Sequence, residues 1–453
     1  MIQIPNPEPV DWIIRKLEEA GFEAYAVGGC VRDTILERSP GDWDITTSAL
    51  PEQVKSIFRR TIDTGIEHGT VTVMIKQEGF EVTTYRVDGD YQDGRHPTSV
   101  TFTPSLVEDL KRRDFTINAM AYRPGEGVVD CFDGLSDLEN KIIRCVGDPE
   151  ERFREDALRM MRAVRFSAQL GFTIEEKTKA AIKKMAGNLR LISQERIQTE
   201  LVKLITSPHP DYIRTAYETG ITAVVLPEFD RMMEVSQRNL FHDLSVGEHT
   251  IQSLLHVEPD PILRLTMLFH DMGKPDCLRT DADGTTHFKQ HAFVGADITH
   301  TALRRLKFDN YTVDNVTALV RYHDSMRDCV SIGTEFPVAR PRAIRRLVSR
   351  IGRDRFPWLM KVNLADNLAK TEWAAKVHLP ALDAIREAYE QIIAAEDCLT
   401  LKELAIGGRD LIAIGIQPGK EIGRILDACL EWVLDEPARN EREVLLEYVK
   451  TIK

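Results

Sequence analysis

Gly28-Gly29 followed by Asp42-Trp43-Asp44 joins a turn that approaches phosphates closely to two carboxylates one residue apart. Glycines bring the backbone against a triphosphate with no Cβ in the way. On a strand, residues i and i+2 point to one face, so Asp42 and Asp44 are expected to hold the same hard cations. Two Mg²⁺ ions clamped by carboxylates suit an in-line attack on a nucleotide phosphate. Glu81 lies in the strand-like run Phe80-Glu81-Val82-Thr83-Thr84-Tyr85 and is a candidate third carboxylate. A glycine turn beside a solvated acidic strand end has the same appearance, so the case depends on the rest of the chain.

The run from Lys111 to Met120, KRRDFTINAM, sets paired arginines before Asp114 and Asn118. Forked guanidinium donors there suit phosphates, with a contact to ribose. Glu155-Asp156-Ala157-Leu158-Arg159 falls in a helical pattern over 149–170. At i and i+3, Asp156 and Arg159 are expected on one helical face. An acceptor beside a fork of donors complements the Watson–Crick edges of cytosine and adenine and leaves groups unpaired against uracil and guanine. Arg162 and Arg165 continue that face. A routine helical ion pair would look the same in sequence.

A second set is metal-like. His249, His270-Asp271, His291, His323 and Asp366 are spread over a helical segment. The apolar run Leu265 to Phe269 leads a helix into His270-Asp271, and Gly273-Lys274-Pro275 stops it. Adjacent His and Asp supply different ligand atoms to one divalent ion. His249 and Asp366 are expected to complete the shell, with His291 and His323 nearby.

The elements that must position these residues change along the chain. To about residue 140, strands and helices alternate. A helix over 11–20 ends at Gly21, and Ala24–Val27 is a buried strand. The segments 71–75 and 81–86 read as a hairpin across Gly79. Residues 87–98 are polar and contain Gly and Pro, and so read as a mobile loop. From Pro149 onward the pattern is almost wholly helical. At 453 residues the chain should hold more than one domain. No apolar run approaches the ~20 residues that cross a bilayer. The N-terminus lacks the pattern of a signal peptide, and seven scattered cysteines suit a reducing cytosol. A net charge of −12 argues against a generally basic nucleic-acid coat. Local basic runs remain, the densest being Arg340, Arg342, Arg345, Arg346, Arg350, Arg353 and Arg355. Such a run serves equally as a solvated helix face. No residue pattern sets an oligomeric state.

Taken together, these motifs resemble the bacterial class of tRNA nucleotidyltransferases, the CCA-adding enzymes and their poly(A) polymerase relatives. The resemblance rests on Gly28-Gly29-Cys30-Val31-Arg32-Asp33, Asp42-x-Asp44, the run from Arg112 to Met120, and Asp133-Gly134 with Asp137-Leu138. Glu155-Asp156-x-x-Arg159 and Gln194-Glu195-Arg196-Ile197 complete it. These cover roughly the first 205 residues. Residues 240–370 resemble an HD phosphohydrolase domain, and the last 80 or so carry no recognisable motif.

The resemblance implies an α/β head of polymerase-β-like type over 1–140 and a helical, base-reading neck over 141–205. A helical HD-type body over 206–370 and a tRNA-contacting helical tail over 371–453 would follow, the whole an elongated crescent. It implies Asp42 and Asp44 as catalytic ligands of Mg²⁺, with Glu81 a weaker candidate. Gly28, Gly29, Arg32, Arg113, Asp114 and Asn118 would hold triphosphate and sugar. Asp156 and Arg159 would read the base, with Arg162 and Arg165 nearby. The loop, with Asp90, Asp93, Arg95 and His96, resembles the one that switches such enzymes from C to A. It is not shortened as in CC-adding relatives, which favours full CCA addition. The expected activity is template-independent addition of CCA to the 3′ end of tRNA from CTP and ATP, in the cytoplasm. The HD set would add a transition-metal phosphohydrolase. An A-only adding enzyme or a poly(A) polymerase shares nearly every head motif. The intact Asp42, Asp44, Asp156 and Arg159 weigh against a phosphohydrolase whose head merely binds nucleotide. Retention of both metal sets weighs against a non-catalytic RNA-binding protein.

Overall fold

The computed structural model describes residues 2–89, 100–237, 244–331 and 337–452. The chain divides into two compact units, Met1–Pro227 and Glu228–Lys453.

The first unit opens with a helix, Glu8–Glu19, whose sequence dictates its ends. Pro9 lies in the first turn, Glu8 and Asp11 meet the positive helix end, and Gly21 (φ 89°) turns the chain away. Val10, Ile13, Ile14 and Leu17 form its buried stripe. Nine strands follow: β1 (Ala24–Val27), β2 (Ile45–Thr47), β3 (Thr61–Gly65), β4 (Thr70–Ile75), β5 (Glu78–Thr84), β6 (Arg86–Asp88), β7 (Val100–Phe102), β8 (Met120–Arg123) and β9 (Gly127–Asp130). Seven form one sheet in the order β3-β4-β5-β2-β1-β8-β9, while β6 and β7 pair separately. The central β1 is buried along its whole length. Within this sheet only β2 and β5 run parallel, with Ile45 opposite Val82. β5 alternates, with Phe80, Val82 and Thr84 buried and Glu81 on the solvent side.

Three expectations need correction. The β4–β5 turn is Lys76-Gln77, since Ile75 pairs with Glu78. Gly79 lies inside β5, where an added Cβ would come within 2.8 Å of the Thr72 side chain. The loop expected over 87–98 begins as a strand: Val87 and Asp88 in β6 pair with Thr101 and Val100 in β7. Asp90, Asp93, Arg95 and His96 lie outside the described residues. Third, the helix expected over 149–170 is two helices, Pro149–Glu155 and Leu158–Leu170. Asp156 breaks them with extended backbone (φ −142°, ψ 104°).

Helices dominate the rest of the first unit and nearly all of the second. Val246–Leu254, Pro261–Phe269, His291–Arg305, Asn310–Tyr322 and Phe356–Leu368 are the elements that matter for chemistry. Residues beyond 397 close a core of their own around Leu411, Ile425, Cys429, Val433, Leu445 and Val449. The arginine-rich run is largely engaged with acidic partners, although only Arg345 is buried. Arg345 pairs with Asp397 and donates to the Leu434 carbonyl; Arg342 and Arg346 pair with Asp435, and Arg353 with Glu403. No described helix is long and apolar enough to cross a membrane.

Candidate functional site

Gly28 ends β1 and admits the turn into the helix Gly29–Ile35 at φ 84°. An added Cβ there would stand 3.0 Å from Arg113 Nη1, so a guanidinium already fills the space a side chain would need. Asp42 and Asp44 are not in a strand, as expected, but just before β2. Asp44 is nonetheless in line with the sheet, since its carbonyl accepts from Val27 N at 3.0 Å. The parallel register puts Asp44 one step before Ile45 and Glu81 one step before Val82, side by side at β2 and β5.

Electrostatics tie the three carboxylates together. Asp44 is exposed, but the protein packed around it partly desolvates its carboxyl and pushes it up. Arg113 opposes the rise and Asp42 adds to it. Desolvation, Asp44 and Asp42 push Glu81 up in the same way. Carboxylates that repel one another across neighbouring strand ends are a donor type suited to a hard divalent cation. They are not drawn to ligand spacing around one point. Among the described residues only two groups are, and both belong to the second unit.

Behind the carboxylates lies a polar network. Arg32 donates to Asn118 Oδ1 at 2.6 Å and forks onto Asp33 at 2.9 Å through both Nε and Nη2. Asn118 donates to Asp114 Oδ1 at 3.1 Å, and Arg162 forks onto Asp114 Oδ2 at 2.8 and 2.5 Å. Burial raises the Asp114 carboxyl, but Arg162, Arg159 and Asn118 more than offset it, so it stays well below the usual carboxylate range. The rings of Phe166 and Phe115 meet edge to face, and the guanidiniums of Arg32, Arg162 and Arg165 surround Phe166 at 4.9, 5.3 and 3.8 Å.

The structure does not pair Asp156 with Arg159 on one helical face. Asp156 accepts from Leu158 N, at the start of the second helix, at 3.0 Å and binds Arg196 at 2.6 Å. Arg159 pairs with Glu155 and donates to the Arg112 carbonyl at 3.1 Å. Arg165 is committed to a buried ion pair with Glu200 at 2.6 Å. Sequence reasoning missed these partners. The i, i+4 spacing of Glu155 and Arg159 was readable, whereas Arg196 and Glu200 come from a separate helix, Gln194–Ile205.

In the second unit, the cluster expected from His249, His270, Asp271, His291, His323 and Asp366 forms. His249, His270 and Asp366 make one group at ligand spacing, and Asp271, His291 and His323 another. Gly273 makes the approach possible, since an added Cβ would collide with the His291 carbonyl. Each imidazole is fixed by a backbone carbonyl. The Nδ1 atoms of His249, His270, His291 and His323 contact the carbonyls of Ala369 (3.2 Å), Met267 (2.7 Å), Phe288 (2.8 Å) and Val320 (2.7 Å). A carbonyl only accepts, so each Nδ1 carries hydrogen and each Nε2 faces inward. His291 Nε2 and His323 Nε2 stand 3.1 Å apart, and His249 Nε2 is 2.9 Å from Asp366 Oδ1. Acceptors facing acceptors at this range call for a cation or proton between them.

The wholly buried Nε2 of His270 makes no hydrogen bond. Burial lowers His249 and His291 and, with the neighbouring histidines, pushes His323 down to about 3. Burial would also lower His270, but Asp271 and Asp366 raise it overall. Lys274 on Asp271 and Lys370 on Asp366, each at 2.7 Å, are partners that sequence reasoning missed. Asp271, His291, His323 and Asp366 line a cavity of about 950 Å³ that also takes in Lys289, Arg327 and the apolar Ile385, with His249 and His270 buried behind them.

The seven-stranded head followed by helices is the architecture of a poly(A) polymerase-type nucleotidyltransferase. The "Poly A polymerase head domain" family model matches residues 24–144. "Probable RNA and SrmB- binding site of polymerase A" matches 171–233, and a tRNA nucleotidyltransferase domain 2 matches 364–449, where no motif was legible. The CCA-adding enzyme of Lactobacillus helveticus is 37% identical over 446 residues, covering 97% of this chain and 96% of its own. That of Levilactobacillus brevis is 38% identical over 437 residues, at 96% and 95% coverage. The crystal structure of the Bacillus stearothermophilus CCA-adding enzyme in complex with CTP superposes with a TM-score of 0.72 at 33% identity, over 97% of both chains. The chain belongs to the family of CCA-adding enzymes, the tRNA nucleotidyltransferases. The Thermotoga maritima CCA-adding enzyme, at 20% identity and a TM-score of 0.60, shares the fold. Membership carries a requirement for divalent metal.

Proposed function

We propose that this enzyme adds C, C and A without a template to the 3′ end of tRNA, from CTP and ATP, in the cytoplasm. The observation that carries the reading is full-length kinship at 37% identity with CCA-adding enzymes, joined to the Arg113–Gly28 contact beside Asp44. The terminal ribose 3′ oxygen attacks the α-phosphorus, a new P–O bond forms, and the bond to the bridging oxygen breaks as pyrophosphate leaves. Mg²⁺ held by Asp42, Asp44 and Glu81 would supply Lewis-acid stabilisation and lower the pKa of the attacking hydroxyl. Gly28 and Gly29 leave room for the triphosphate, and Arg113 brings a guanidinium to it. The Asp114–Asn118–Arg32 network orients the sugar, with Arg162 anchoring Asp114. Asp156 and Arg159 read the base, each steadied by its own partner, Arg196 or Glu155. The 87–98 loop serves the change from C to A. We assign the head to 1–140, the neck to 141–205, the body to 206–370 and the tail to 371–453.

The test offers each NTP singly to tRNA lacking CCA, tRNA ending in CC, and an unrelated RNA. CTP use on the first and ATP use on the second alone is the expected result. ATP use without CTP use would make the protein an A-only adding enzyme. Runs of A on the unrelated RNA would make it a poly(A) polymerase.

A second reading concerns the other unit. Four inward Nε2 atoms and two carboxylates, of which His291, His323, Asp271 and Asp366 line the cavity, suit transition-metal hydrolysis of phosphate monoesters or 2′,3′-cyclic phosphates. Protein loaded in turn with nickel, manganese, cobalt or magnesium should release phosphate from monoesters or open 2′,3′-cyclic phosphates to monoesters. Neither reaction with any of them would leave the cluster a structural one.

A further inference from the structure

We propose that Asp109 is a positioning residue for the phosphate side of the site, its buried charge holding the Arg113 guanidinium beside Gly28 and tying it to the β6–β7 pair. The inference rests on the nucleotidyl-transfer reading above. Asp109 lies in the helix Leu106–Lys111 and is wholly buried. A carboxylate without water needs donors on both oxygens. Oδ1 accepts from Arg112 Nε and Nη2 at 3.0 and 2.7 Å and from Arg86 N at 3.4 Å. Oδ2 accepts from Thr46 Oγ1 at 3.2 Å and Arg113 Nη2 at 3.3 Å.

Each partner leads to a different part of the site. Thr46 is on β2, two residues beyond Asp44. Arg86 begins β6, the stem of the segment proposed to serve the change from C to A. Arg112 offers its carbonyl to Arg159. Arg113 Nη1 borders Gly28, while Arg113 Nε makes no hydrogen bond. Two carboxylates therefore act on Arg113. Asp109 binds it directly, and Asp44 feels its charge. Without the Asp109 charge, Arg113 is drawn onto Asp44, off the position where it meets the triphosphate and across the oxygens that would hold a cation.

The experiment is a double-mutant cycle on full-length protein, reading CTP binding by equilibrium dialysis without tRNA, with thermal melts alongside. Asp109→Asn and Arg113→Ala should each weaken CTP binding about tenfold, and the double variant should bind no more weakly than Arg113→Ala alone. A merely structural Asp109 would lower the melting temperature and give additive losses. Additive losses, or wild-type binding in Asp109→Asn, overturn the inference. If Asp109→Asn does not fold, Thr46→Val removes one of its donors. Binding should then weaken about twofold to threefold with Arg113 present and not at all without it. Unchanged binding in Thr46→Val overturns the inference on that branch. Nucleotide addition by the wild type separates the outcomes. An active wild type with additive losses sinks the role of Asp109 alone, and an inactive one sinks the transfer reading and the inference with it.

Discussion

Asp44 carries opposing demands. It is desolvated and repelled by Asp42, yet drawn toward Arg113, so the metal-free protein holds its charge at a cost. Asp44→Asn should reduce nucleotide addition by more than roughly a hundredfold, as expected for lost electrostatic stabilisation of the transition state. It should not lower the melting temperature in metal-free buffer, and the rise caused by added Mg²⁺ in the wild type should shrink. Near-normal addition by the folded variant would remove Asp44 from the chemistry. Asp114 is the opposite case, held below the usual carboxylate range by Arg162. A depressed folded-state pKa contributes stability that is complete above the unfolded value, about 4, and is lost as pH falls toward the folded value. Asp114→Asn should therefore flatten the fall in stability below about pH 4. Urea midpoints of both proteins across that range check it, and parallel curves would contradict it.

At the scale of elements, the break at Asp156 changes what base reading requires. Asp156 and Arg159 are not presented together by one helix face; Arg196 and Glu155 hold them separately. Arg159→Ala should relax selection, so that UTP and GTP are incorporated relative to CTP and ATP by roughly tenfold or more. Equal loss for all four nucleotides would make Arg159 a structural link to Arg112. The motif residues were legible because carboxylates, glycines and arginines at fixed spacing carry chemistry whatever the local backbone. The break was not legible, because apolar periodicity runs through 149–170 and the hydrogen bond at Leu158 depends on a backbone angle. Gly79 misled for a related reason. Here the glycine serves packing instead of a turn, since the Thr72 and Met74 side chains occupy the space a Cβ would need. The arginine run read equally as a solvated face or an RNA patch. Its acidic partners, Asp397, Glu403, Glu431 and Asp435, lie too far along the chain for spacing to reveal them.

At the scale of the whole molecule, each compact unit carries its own core and its own candidate chemistry. His270→Ala with Asp271→Ala should abolish transition-metal binding, read by metal analysis after dialysis, and any phosphate release. It should leave CCA addition within about twofold, since the two sites share no residue. Loss of CCA addition would show that the cluster supports the transfer reaction. Arg342, Arg345, Arg346 and Arg353 of the arginine run pair with acidic side chains, while Arg340, Arg342 and Arg350 stay exposed.

The carbonyl clamps on the four imidazoles have a thermodynamic consequence. With every Nδ1 hydrogen committed to the backbone, a metal enters only by taking Nε2. At His270, whose pKa is raised by Asp271 and Asp366, that displaces a proton into the buffer. Loading should therefore be proton-linked. Its calorimetric heat should scale with the ionisation enthalpy of the buffer, and affinity should weaken up to about tenfold per unit of pH below the His270 value. A heat independent of the buffer would mean that His270 is already neutral when the ion arrives.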